Sequence, residues 1–187
     1  KQQYYKSGKK FEHGADRLGN LIEKHDVFRK IILLPEMLYC AKKVINDDIK
    51  IVAAHLRSPT KNSGYQRIHI DGYPRYKDTD PYSGIIAFIY LDDSTIENGA
   101  LRIIPSSHKK LGWPNEHIDI NKTYKDELNV EVKAGTVVIA NLNLWHRGGN
   151  NTSGKPRKMI MINIKNRKEL QLLNFKKYLS DKTKNIL

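Results

Sequence analysis

The chain has 187 residues, enough for one domain with a substantial core and too few for two comfortable ones. Hydrophobic residues make up 39% and charged residues 28%, which excludes a mainly disordered chain. The net charge of +13 is spread along the chain, no apolar run approaches a membrane span, no signal-peptide pattern opens it, and the single cysteine, Cys40, cannot form an internal disulfide. A cytoplasmic protein with a solvated basic surface is the expectation, and attraction for an anionic partner is the functional counterpart of that charge.

Residues 1 to 15 are polar and lack an apolar period, as a loose arm would. From Asp16 the spacing of Leu18, Leu21 and Ile22, then Phe28, Ile31 and Ile32, predicts helix. Pro35 suits the first turn of another helix, carrying Met37, Leu38, Ala41 and Val44 to a polar stop at Asn46-Asp47-Asp48. Short apolar runs bounded by turn residues then predict strands at Ile49 to Arg57, Tyr65 to Asp71, Gly84 to Leu91, Leu101 to Ile104, Val130 to Lys133, Thr136 to Asn141 and Lys158 to Ile164. The expected class is mainly β with flanking helices, a jelly roll. One domain is expected, with an arm and helices over 1–48, a jelly-roll core over 49–165 and a basic helix and tail over 166–187.

In Gln66-Arg67-Ile68-His69-Ile70-Asp71 an imidazole and a carboxylate stand two residues apart on a predicted strand, so both project from one face. The buried-strand pattern Thr136 to Asn141 leads through Leu142-Asn143-Leu144-Trp145 into a second histidine, His146. Two histidines and one carboxylate form the facial set of non-haem iron(II), and the same set with a water serves zinc hydrolases. Arg157 follows His146 across the turn Gly148 to Pro156. There its planar fork can pair with a carboxylate beside the metal, which a simple zinc hydrolase does not need.

These residues resemble the phytanoyl-CoA dioxygenase family of iron(II)/2-oxoglutarate oxygenases, which have a double-stranded β-helix (cupin-like) fold. Four stretches between about Leu38 and Ile164 carry the resemblance: His69-Ile70-Asp71; Leu91 to His108, with its Thr95-Ile96-Glu97-Asn98-Gly99 and Pro105-Ser106-Ser107-His108; Gly135-Thr136-Val137-Val138; and His146 to Arg157. It implies that His69, Asp71 and His146 bind Fe(II), that Arg157 anchors 2-oxoglutarate, and that O2 is the oxidant. It also implies hydroxylation of an unactivated C–H bond with release of succinate and CO2, because Asp71 stands where some halogenating relatives carry a small residue. Phe88 occupies a position that is tryptophan in some relatives and is expected to wall the oxoacid pocket. Gly148 stands where a serine often contacts the oxoacid, leaving Thr152 or a water to replace it. His108 corresponds to a structural residue.

His55 and Arg57, on the strand before the metal segment, can face the pocket. Tyr73, Arg75 and Tyr76 follow Asp71 in a loop expected to overhang the metal, and Trp145 and Arg147 flank the second histidine. Such a rim suits a small anionic or zwitterionic molecule. The alternatives are a nucleic-acid-directed oxygenase (demethylase), favoured by the charge but lacking a recognition motif, and a catalytically silent jelly-roll binding module. The intact set His69, Asp71, His146 and Arg157 speaks against the last.

Overall fold

The computed structural model describes residues 14–169 together with 180 and 181. Most of the polar arm and of the basic C-terminal helix expected from the sequence lies outside the described residues. The helical start is divided differently from expectation: β1 (Ala15–Leu18) is an edge strand, paired with β2 (Ile49–Pro59) from Ala15↔Pro59 to Leu18↔Leu56. Its helical spacing with Leu21 and Ile22 is broken because Asn20 takes a left-handed φ of 52° and opens a single 3-10 turn. Helices α1 (Asp26–Ile32) and α2 (Pro35–Ile45) follow. Helix α2 begins with its proline in the first turn and stops at Asn46, left-handed at φ 50°, as the sequence predicts.

Strands β2, β3 (Gly84–Tyr90), β6 (Val137–Asn141) and β8 (Met159–Asn166) complete a five-stranded sheet with β1, in the order β1-β2-β8-β3-β6. A smaller sheet, β5-β4-β7, is built from β4 (Leu101–Ile103), β5 (Leu128–Val130) and β7 (His146–Gly148). Strands β3 and β8 fix which face of the large sheet does what. Ile85, Ala87 and Ile89 join Ile160, Ile162 and Ile164 in a core with Met37, Ala41 and Ile45 of α2. Ile86, Phe88 and Tyr90 join Met159 in the space between the sheets, with Leu101 and Leu142. In β8 the helix-side isoleucines are buried, whereas Met161 and Asn163 of the inner face are only partly so.

One predicted strand is absent. From Tyr65 to Asp71 the backbone hydrogen bonds go to several elements: Gln66 N–H to the Gly148 carbonyl, Ile68 N–H to Ile120, His69 N–H to His146, and Asp71 N–H to Leu142. Only one isolated bridge results, His69↔His146. Strand β7 was in turn unpredicted, because three residues after an irregular turn carry no readable period. The strand expected at Val130 to Lys133 is shifted back to Leu128–Val130, with Val132 bridging Ser94.

Candidate metal centre

His69 and His146 face each other through that bridge, exchanging two backbone hydrogen bonds of 3.0 Å each. Their rings lie 4.4 Å apart between centroids. Each Nδ1 sits 2.8 Å from the carbonyl two residues earlier, Arg67 for His69 and Leu144 for His146. A carbonyl only accepts, so both Nδ1 atoms carry the proton and both Nε2 atoms keep a lone pair. This is the tautomer that a metal-ligating histidine needs.

Both lone pairs turn toward Asp71. His69 Nε2 is 3.8 Å from Asp71 Oδ1, and His146 Nε2 is 3.7 Å from Asp71 Oδ2. Candidate ligand atoms of the three residues all lie within 4.8 Å of one another. Burial holds His146 down to about 4, with the nearby His69 adding to the effect against the opposing pull of Asp71 and the Leu144 carbonyl. Burial works against ionisation of Asp71, but His146, His69, His55 and Arg17 outweigh it and keep the carboxyl below its usual range. A neutral imidazole and an ionised carboxylate are the forms that bind a cation. His146 Nε2 is moreover buried without a hydrogen-bond partner. An orphaned acceptor of that kind, aimed at a carboxylate and a second imidazole, fits a divalent metal.

The other expected residues divide into two groups. Phe88 presents its ring edge-on to His146 at 6.0 Å and walls the site. Arg157 is buried, 1% exposed, with Nη1 3.4 Å from Met159 Sδ in the same interior. Arg57 is buried and donates to the Gly64 carbonyl at 2.7 Å. Its register partner across β2 and β8 is Met159, next to the row in which His55 faces Met161 and Phe88. His55 is close enough to act on Asp71.

Thr152, Tyr73, Arg75 and Tyr76 are not drawn into this cluster. Thr152 is exposed and gives its hydroxyl proton to the Glu97 carbonyl at 3.2 Å. Arg75 is buried as the staple of its own turn, donating to the carbonyls of Asp80 (2.7 Å) and Asp78 and lying over the Tyr82 ring. Tyr76 is 60% exposed on that turn. Tyr73 is half-exposed, with Lys165 over its ring. Arg147 faces away from the triad, because successive strand residues alternate sides and His146 takes the inner one. Its guanidinium pairs with Glu127 and contacts Tyr65 and Thr123. His108 lies by Tyr82 at 5.9 Å and is no part of the cluster.

Three participants went unnoticed in the sequence. Tyr90 and Asn163 line the interior, and strand alternation from Phe88 and from Met159 would have found them. Glu127, which anchors the strand carrying His146, has no local signal.

A family model described as phytanoyl-CoA dioxygenase matches residues 2–159, most of the chain. The chain belongs to the phytanoyl-CoA dioxygenase family. Among curated relatives, the iron/alpha-ketoglutarate-dependent dioxygenase ausU of Aspergillus calidoustus is 27% identical over 165 residues, covering 82% of this chain and 53% of that protein. Phytanoyl-CoA dioxygenase of Arabidopsis thaliana is 34% identical over 96 residues, 46% of this chain and 34% of its own length. The chain thus spans about half or less of the length of these relatives. Among solved structures, HygX of Streptomyces hygroscopicus with nickel and 2-oxoglutarate bound superposes with a TM-score of 0.71 at 18% identity, covering 85% of this chain and 72% of HygX. That likeness establishes the double-stranded β-helix fold of this family member.

Proposed function

We propose that this chain is an Fe(II)- and 2-oxoglutarate-dependent dioxygenase that hydroxylates an unactivated C–H bond of a small molecule. The overall reaction balances as R–H, O2 and 2-oxoglutarate giving R–OH, succinate and CO2. One observation carries the reading: two imidazoles tied back through Nδ1 direct their Nε2 lone pairs at one carboxylate, in the interior that also holds a buried arginine. His69, Asp71 and His146 would hold the iron, which when bound with the oxoacid supplies the oxidising chemistry for the C–H bond. The chain's own residues do the rest. The bonds from Nδ1 to the Arg67 and Leu144 carbonyls orient the imidazoles. Arg157 pairs with the distal carboxylate of 2-oxoglutarate, and Phe88 screens His146 from water.

The family membership supports the reading, as does ausU, whose name records the same cofactor pair. Arg17, whose charge acts on Asp71, and its buried cross-strand partner Arg57 add positive charge on the β1–β2 side of the site and favour an anionic or zwitterionic substrate. HygX, which also binds hygromycin B, supports a small-molecule rather than a macromolecular substrate. No described helix is long and apolar enough to cross a membrane, and a cytoplasmic setting suits an enzyme that consumes 2-oxoglutarate.

The test is anaerobic addition of Fe(II) and 2-oxoglutarate. The wild type should develop the weak visible charge-transfer band of a chelated oxoacid, and His69→Ala should abolish it. Absence of the band in a wild type that binds zinc tightly would instead support the hydrolase assignment.

A further inference from the structure

Tyr90 ends β3 on the face turned toward the smaller sheet, two residues beyond Phe88. Register sets it opposite Met159 of β8, and Arg157 enters the same interior two residues before that methionine. Both side chains are buried, Tyr90 at 0% and Arg157 at 1% exposure. The two groups are neighbours, since the guanidinium charge acts on the phenol. Burial still dominates, with Arg157 and Ser94 opposing it, and pushes the phenol up to about 12, so Tyr90 remains a proton donor.

That donor makes no well-formed hydrogen bond. Ser94 Oγ lies near enough to act on the phenol and gives its own proton to the Val130 carbonyl at 3.1 Å, but Tyr90 Oη is buried with no partner in hydrogen-bond geometry among the described residues. A buried hydroxyl left in that state costs about 1–3 kcal/mol, and phenylalanine would fill the same space without the cost. Its place beside a guanidinium selects an anionic oxygen as the missing acceptor.

We propose that Tyr90 is a cosubstrate-binding residue that donates a hydrogen bond to the distal carboxylate of 2-oxoglutarate, alongside Arg157. The inference rests on the oxygenase reading above. It also accounts for a donor arriving from β3 rather than from the strand of the second histidine. A side chain at Gly148 has no room, because a Cβ there would stand 2.9 Å from the Gly64 carbonyl oxygen and 3.0 Å from both Arg57 Nη1 and Gln66 Oε1.

The experiment compares wild type and Tyr90→Phe, both loaded anaerobically with Fe(II) and titrated with 2-oxoglutarate or with 2-oxobutanoate, which lacks the distal carboxylate. The charge-transfer band reports binding. Tyr90→Phe should weaken 2-oxoglutarate by about tenfold or more, the worth of one hydrogen bond to a charged group, and leave 2-oxobutanoate unchanged. Without oxoacid the variant should unfold at the same temperature as the wild type or higher, since it loses an unsatisfied hydroxyl. Unchanged 2-oxoglutarate affinity, equal losses for both oxoacids, or a variant that does not fold would overturn the assignment. A wild type with no band for either oxoacid would overturn the oxygenase reading as well, so the two failures are distinguishable.

Discussion

Arg147 and Glu127 form a two-pronged ion pair, Nε to Oε2 at 2.9 Å and Nη2 to Oε1 at 2.7 Å, with both side chains 1% exposed. Arg102, the cross-strand neighbour of Arg147 on β4, reaches the same carboxylate at 2.9 Å. One glutamate therefore bridges two opposed arginines directly behind the strand that presents His146. Glu127→Ala should destabilise the fold by about 3–5 kcal/mol, because it leaves buried guanidinium charge uncompensated. Denaturant unfolding of the metal-free protein checks the figure. A loss below about 1 kcal/mol would show that solvent reaches the arginines.

Arg157→Ala should weaken 2-oxoglutarate on the order of 100-fold, as expected for loss of a two-pronged charge-assisted contact, while Fe(II) affinity changes little. Separate titrations of iron and oxoacid decide it. Equal oxoacid affinity in the variant would remove the role proposed for this residue.

Acid should destabilise the metal-free protein in a defined window. The folded state holds His146 at about 4 against an ordinary 6.5. Above 6.5 neither state takes the proton, so the contribution is fully present. Between 6.5 and 4 the unfolded chain binds a proton that the folded one refuses, and stability falls by roughly 3 kcal/mol in total. Thermal melts across this range should show the fall, and His146→Asn should flatten it. An unchanged slope in the variant would assign the acid sensitivity to another group.

Asn151 is fully buried, and its side chain ties its own turn to the end of β2. Nδ2 donates to the carbonyls of Pro59 (3.1 Å) and Lys155 (2.9 Å), and Oδ1 accepts from the Gly154 N–H at 2.8 Å. Asn151→Ala strands these backbone groups and should cost roughly 2–4 kcal/mol, visible as a lowered unfolding midpoint. The turn it organises leads into Arg157, so 2-oxoglutarate affinity should fall as well.

Nucleic acid should bind only weakly and without preference, despite a net charge of +13. Gel shifts with single- and double-stranded probes should show no complex at physiological salt. A tight, salt-steep complex would instead favour the demethylase alternative.

The sequence carried the chemistry of this protein further than its topology. His69, Asp71 and His146 were legible as a candidate metal cluster because metal chemistry restricts residue type, and the structure brings them together; Arg157 was legible as a candidate through the phytanoyl-CoA dioxygenase pattern, and it is buried. Strands β3 and β8 were legible because long apolar runs cannot face water. The segment Tyr65 to Asp71 looked like a strand but shares its hydrogen bonds among Gly148, Ile120, His146 and Leu142, partners that no local pattern names. Thr152 was a reasonable hydroxyl by position, yet its turn faces solvent; the phenol beside Arg157 comes from Tyr90, sixty-seven residues earlier in the chain. By itself, then, the sequence determined which candidate ligand types are present and in what order. Only the tertiary structure decided which of them share an interior, because register between β3 and β8 and the single bridge at His69 and His146 are contacts between residues far apart in the chain. Sequence spacing holds no record of such distances.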